Sequence, residues 1–137
     1  MEVNFFYTTA RGYLHAVQLT ADHNQHNDSG YLAAPIYMLI GFVVELMLKA
    51  WLLNAGLNDK QLKDIGHDLQ KLYAVACENG FASAQPVNQI VDGMAEAHRT
   101  HAFRYMKSGD LTLPVIDDMI PYLVAWDDEI RATLGYD

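Results

Sequence analysis

The segment from Tyr31 to Asn54 constrains the fold most, because it is apolar around almost its whole circumference. Its apolar residues follow the helical period, Pro35 suits the first helical turn, and Gly56 suits the residue after the last turn. A helix that is apolar on all sides has to be covered on most of them. We therefore predict a central helix over residues 31–54. Gly41 weakens that helix by about 1 kcal/mol relative to alanine, which predicts the close approach of a neighbour.

Glu45 and Lys49 are the only charged residues in this segment. About 14 uncharged residues precede Glu45, fewer than the ~20 that a membrane span requires, so we expect a core helix and no membrane insertion. Glutamate four residues before lysine forms a stabilising pair on a helix. A buried pair needs further partners, which Arg104, or His67 with Asp68, would supply. The pair then either locks helix packing, which we favour, or orients a ligand.

The turn residues divide the chain into five helical segments, and no stretch alternates with the period of a strand. We predict an all-α fold, an up-and-down bundle of four main helices and a shorter one, in a single domain over residues 1–137. Pro121 should kink or restart the last helix. The other predicted segments cover residues 4–23, 67–78 and 86–103, and a last helix from near Pro114.

Charge and cysteine content narrow the function classes. The net charge of −8 disfavours broad, non-specific binding to nucleic acid. The single cysteine, Cys77, cannot form an internal disulfide, which fits a reducing compartment. The first residues lack the basic region of a signal peptide. We expect a cytoplasmic protein.

The one basic stretch lies between His98 and Gly109 and contains no acid. Cations beside aromatic and imidazole rings can hold a phosphate and stack a base. The alternative, which we favour, is that the arginines pair with the last helix, since residues 110–137 carry seven acids and one arginine. The chemically relevant residues of the basic stretch are His98, Arg99, His101, Phe103, Arg104, Tyr105 and Lys107.

Three pairs of potential metal ligands lie about one helical turn apart: His23 and His26, Asp64 and His67, and His98 and His101. Bundles that bind two metals need repeated Glu-x-x-His motifs with further inward glutamates, which this sequence lacks. We therefore expect no metal site and no cofactor. If a metal were found, the expected ligands would be Glu45, Asp64, His67, His98 and His101. Asp64 to Asp68 is more typical of helix capping, with proton transfer by His67 as the alternative.

Three parts of the sequence together resemble HEPN domains: Glu45–Gly56, Gly66–Leu72 and Phe103–Tyr105. The first is a Glu-x-x-x-Lys helix, the second a Gly-His-Asp-Leu helix start, and the third a Phe-Arg-Tyr element. The resemblance covers roughly residues 31 to 107. It implies an up-and-down helical bundle, often dimeric, that is linked to nucleotide or RNA chemistry and to toxin–antitoxin or defence systems.

The sequence departs from the catalytic members of that family. Their ribonuclease motif is Arg-x4-6-His, and neither Arg99 nor Arg104 has a histidine at the required spacing. A variant ribonuclease would use His101 or His98 as the base and Arg104 to stabilise the charged phosphorane. The catalytic candidates are therefore His101, His98 and Arg104.

The resemblance and the residues together favour a HEPN-like module that binds a nucleotide, an RNA or a protein, as a homodimer with an antitoxin or a nucleotidyltransferase as possible partner. A metal-independent ribonuclease is the alternative, and a metal-binding bundle enzyme a weaker one. Whether the domain is an enzyme stays open at this stage. The expected ligand-binding residues are Glu45, Lys49, His67, Asp68, Arg104 and Tyr105.

Overall fold

A computed structural model of the chain describes residues 4–27, 32–100 and 113–136. Within these ranges the chain forms helices and no strand, which confirms the all-α class. The helices are α1 (Phe5–Asn27), α2 (Ala33–Ala55), α3 (Asp59–Ile65), α4 (Leu69–Glu78), α5 (Val87–Thr100) and α6 (Ile116–Leu134).

The central helix is α2, which packs against α1, α3, α4, α5 and α6. Its end is as predicted: Gly56 has φ +115°, a left-handed conformation that glycine adopts without strain. The Gly56 and Leu57 amides then donate to the carbonyls of Leu53 and Leu52. Because α2 is covered on most sides, even its charged residues Glu45 and Lys49 are buried.

In the described part of the chain, α2 is also the one helix with the length and hydropathy to cross a bilayer. Of the most apolar 18 residues of α2, 61% are buried by the rest of the chain. The central helix of a soluble protein has the same properties.

The link between α2 and α4 contains a helix that the sequence-based prediction missed. Asn58 caps α3 by accepting a hydrogen bond from the Gln61 amide, and the Gln61 side chain accepts one from the Asn58 amide. This reciprocal capping box stabilises a helix of seven residues that buries only Leu62. Helix α4 begins at Leu69, two residues later than predicted, with Asp68 as its cap. His67 therefore lies in the short link between α3 and α4.

The sequence predicts that Pro121 kinks or restarts the last helix; helix α6 continues through this proline to Leu134, so it does not restart there. The proline lies in the first third of the helix, and the packing of Leu123, Trp126 and Ile130 in the core stabilises the helix beyond it.

Candidate functional site

The Glu45 carboxylate is the centre of a polar cluster inside the bundle. Its Oε1 atom lies 2.7 Å from His98 Nε2 and 2.8 Å from His67 Nδ1. Its Oε2 atom accepts a 3.0 Å hydrogen bond from the Lys49 ammonium. We call Glu45, Lys49, His67 and His98 the Glu45 cluster.

The cluster keeps Glu45 ionised. Burial alone would raise the pKa of this carboxyl, but the hydrogen bonds from His98, His67 and Lys49 outweigh burial and lower the pKa to about 2. An ionised carboxylate only accepts hydrogen bonds. We therefore assign a proton to His67 Nδ1 and to His98 Nε2, so that both rings donate to Glu45.

His98 occupies a fitted slot between α5 and α2. A Cβ atom built on Gly41 would lie 2.3 Å from His98 Nδ1, so only glycine leaves room for the imidazole. The Phe42 ring packs edge-on against the same imidazole, with 5.2 Å between the ring centroids. The close neighbour that the sequence predicted for Gly41 is confirmed, and it is a member of the cluster.

His67 opens the cluster to solvent. Its side chain is 56% exposed, whereas those of His98 and Lys49 are 5% and 9% exposed. Gly66, with φ +71°, ends α3 and turns the chain so that His67 reaches Glu45, 22 residues earlier in the sequence. The cluster is therefore a fixed, buried carboxylate with one accessible imidazole at its edge.

The structure brings some of the predicted site residues together and separates others. Glu45, Lys49 and His67 meet, and His98 joins them. The Asp68 carboxylate instead accepts a hydrogen bond from the Lys71 amide as the cap of α4. Of the remaining predicted residues, Asp64 is exposed on α3, and His101, Arg104 and Tyr105 lie outside the described residues.

The arrangement has two chemical capacities. A carboxylate that accepts the Nδ1 proton of an imidazole orients the ring for proton transfer at Nε2. Two imidazoles and a carboxylate are also a donor set for a metal ion, and one donor atom from each of Glu45, His67 and His98 lies within 4.8 Å of the others.

A second polar cluster, which the sequence reasoning missed, joins α1 to α6. The buried Tyr7 hydroxyl donates a 2.7 Å hydrogen bond to Asp127 and accepts one of 3.3 Å from Arg131. The Tyr136 ring stacks on Tyr7 with 5.4 Å between centroids. Burial, above all, raises the pKa of Tyr7 and keeps its hydroxyl protonated. These contacts fasten the two ends of the described chain together, and we assign them a structural role.

Two surface grooves lie away from the Glu45 cluster. One of about 560 Å³ lies between the starts of α5 and α6 and is lined by Ile90, Pro114 and Tyr122. The other, of about 410 Å³, is lined by Arg11, His15 and Asp127. The residues that line these two grooves include no member of the Glu45 cluster.

Comparison of this chain with protein-family models, with curated proteins and with solved structures finds no match.

Proposed function

We propose that the chain is a HEPN-like helical domain that binds a phosphate-bearing ligand, a nucleotide or RNA, at the open side of the Glu45 cluster. The observation that carries the proposal is the half-exposed His67 imidazole, which the buried Glu45 carboxylate holds in one orientation. When Nε2 also carries a proton, the oriented ring donates a hydrogen bond to a phosphate oxygen, and its binding geometry costs little ordering entropy.

Charge supports a phosphate ligand at this place. The one basic stretch of an otherwise acidic chain begins at His98, the residue whose imidazole binds Glu45. A phosphate repelled by most of the surface would be attracted at this stretch. Arginine and aromatic side chains, such as those at positions 104 and 105 of the sequence, suit a phosphate and a base.

The proposed localisation, oligomeric state and partners rest on the resemblance to HEPN domains. The proposal comprises a cytoplasmic homodimer without membrane insertion, with an antitoxin or a nucleotidyltransferase as protein partner. A toxin–antitoxin or defence role belongs to the same proposal.

The test is fluorescence anisotropy with a labelled, mixed-sequence single-stranded RNA in the presence of a chelator. We expect the parent to bind and His67→Ala to weaken binding about tenfold or more, because losing a hydrogen bond to a charged group costs roughly 1.5–3 kcal/mol. His15→Ala is the matched control, since it removes an exposed imidazole from the separate groove beside Asp127. Equal affinity of parent and His67→Ala would refute the site.

A metal-independent ribonuclease is the second candidate, and the pairing of His67 with Glu45 is the observation that favours it. In this reaction His67 Nε2 takes the 2′-hydroxyl proton, and the 2′-oxygen attacks the phosphorus. The P–O5′ bond then breaks to leave a 2′,3′-cyclic phosphate, and the departing 5′-oxygen takes a proton from water to become a 5′-hydroxyl. His98, an earlier candidate for the base, is buried with its Nε2 atom bound to Glu45. Of the two imidazoles, His67 is the more exposed, and we therefore propose it as the base.

Electrophoresis of the same RNA after incubation with the protein separates binding from cleavage. Cleavage in chelator by the parent and by His15→Ala, but not by folded His67→Ala, would establish the enzyme. Binding without cleavage would leave the binding module. The thermal melting temperature of each variant serves as the control for folding.

A further inference from the structure

Glu45, His67 and His98 offer three metal-binding atoms from three separate parts of the fold. Glu45 comes from the middle of α2, His67 from the link between α3 and α4, and His98 from the last turn of α5. We propose that these three side chains bind one divalent transition-metal ion. The inference goes beyond the proposed function and does not depend on it, because a chain that binds no RNA can still bind the metal.

The distances fit a metal site after a small movement. Metal bonds of about 2.0–2.2 Å at tetrahedral or octahedral angles place neighbouring donor atoms roughly 2.8–3.6 Å apart. Glu45 Oε1 lies 2.8 Å from His67 Nδ1 and 2.7 Å from His98 Nε2. All three donor atoms lie within 4.8 Å of one another. A shift of about 1 Å that moves the carboxylate away from the imidazoles and sets the two ring nitrogens within the same range would therefore admit the ion. The proton of each neutral ring then moves to its other nitrogen, and the metal replaces the two N–H donors.

The surroundings hold two of the donors in place. Lys49 binds Oε2 of Glu45, which leaves Oε1 directed at the imidazoles. Gly41 and Phe42 form the slot that fixes the His98 ring. Partners that orient metal ligands in this way commonly raise metal affinity. The ion therefore meets a largely organised site rather than three independent side chains.

The donor types select the class of metal. Two imidazole nitrogens and one carboxylate oxygen suit Zn²⁺, Fe²⁺, Co²⁺ or Mn²⁺, whereas Mg²⁺ and Ca²⁺ prefer oxygen ligands throughout. Three protein ligands leave at least one coordination position for water or a ligand. Because the His67 side chain is 56% exposed, the ion has a path of entry from solvent.

The sequence lacks the repeated Glu-x-x-His motifs that are typical of metal-binding bundles, and it therefore does not indicate this site. His67 and His98 instead follow Glu45 by 22 and by 53 residues. Of the five ligands named for a metal on sequence grounds, Glu45, His67 and His98 meet in the structure.

The experiment is titration of the protein, purified without an affinity tag and stripped with a chelator, with Zn²⁺ in an isothermal calorimeter. We expect one Zn²⁺ per chain for the parent and for His15→Ala. For His67→Ala we expect the affinity for Zn²⁺ to fall by about tenfold or more. His67 is the residue to replace, because its side chain is exposed and its replacement by alanine leaves the core intact. A Co²⁺ titration adds a spectroscopic readout: the parent should show visible ligand-field absorption, and His67→Ala should lose it.

Two outcomes would overturn the proposal: absence of stoichiometric Zn²⁺ binding by the folded parent, or parent-like affinity and Co²⁺ absorption in His67→Ala. The calorimetry contains no RNA, and the RNA assay contains chelator. Failure of the metal site and failure of the proposed function are therefore seen in separate measurements.

Discussion

Gly41 lies in the middle of α2, where alanine would ordinarily be the better helix former by about 1 kcal/mol. In this position the added methyl group meets the His98 imidazole. The new carbon would lie 2.3 Å from Nδ1, 3.0 Å from Cγ and 3.1 Å from Cε1 of that ring. Since carbon–nitrogen contacts shorter than 3.0 Å are essentially never seen, the ring or the helix has to move.

The magnitude follows from the two ways of relieving the overlap. If the His98 ring stays, α2 and α5 are forced apart, and overpacking of this kind costs roughly 1–3 kcal/mol. If the ring leaves, its hydrogen bond to ionised Glu45 is lost, at roughly 1.5–3 kcal/mol. These are alternatives and are not added. After the gain of about 1 kcal/mol in helix propensity, we expect Gly41→Ala to lower the free energy of unfolding by up to about 2 kcal/mol.

Urea unfolding followed by circular dichroism, with chelator present, measures the effect. Gly12→Ala on α1 is the matched control, because a Cβ atom there meets nothing within 4 Å and should raise the free energy of unfolding by up to about 1 kcal/mol. In a His98→Ala background, Gly41→Ala should become stabilising as well. Stabilisation by Gly41→Ala in the parent would refute the idea that this glycine makes room for His98.

Three further measurements test other contacts. Because the folded pKa of Glu45 is about 2, below the ordinary 4.5, its contribution to stability is complete above about pH 5 and is lost as the pH falls toward 2. The excess unfolding free energy of metal-free parent over Glu45→Gln should shrink over that window, and a constant difference would contradict the lowered pKa. Tyr7→Phe should cost about 1.5–3 kcal/mol in urea unfolding, since it removes the hydrogen bond to buried Asp127, and a loss below about 0.5 would contradict this. Light scattering should give about twice the 15.4 kDa chain mass, because Phe5 and Leu19 leave apolar surface exposed on α1, and a clean monomer would exclude the homodimer.

The sequence predicts those parts of the fold that are determined by interactions between residues close together in the chain, such as helix periodicity and capping. The apolar period and Gly56 define α2 and its end within two residues. Helix α3 was missed because it has seven residues and buries one, too few for a periodic pattern. Its signal was present nonetheless, as the capping pair Asn58 and Gln61 three residues apart.

The candidate site could be predicted only in part, because its members come from distant parts of the chain. The spacing of Glu45 and Lys49 identified the buried pair, and burial implied that it needs partners. The sequence indicates His67 as one such partner, whereas it places His98 in the basic stretch and among potential metal ligands and does not indicate that this imidazole binds Glu45. Gly41 indicated that something approaches α2 closely, but a glycine does not identify its neighbour. Only the packing of α5 on α2 joins these two signals.

The free-energy cost of burying the charges of the Glu45 cluster bears on the function of the cluster. A buried ion pair can often be replaced by apolar side chains of similar size with little loss of stability, since desolvation offsets most of the attraction. The core around α2 already contains large, fully buried apolar side chains such as Met47 and Leu48. Stability therefore does not require charges at positions 45 and 49. Burial explains why Glu45 needs a partner, but it does not explain why one of its partners, His67, has a side chain that is more than half exposed. A charge held inside the bundle and connected to solvent through one oriented imidazole is better accounted for by a ligand or an ion than by the stability of the fold.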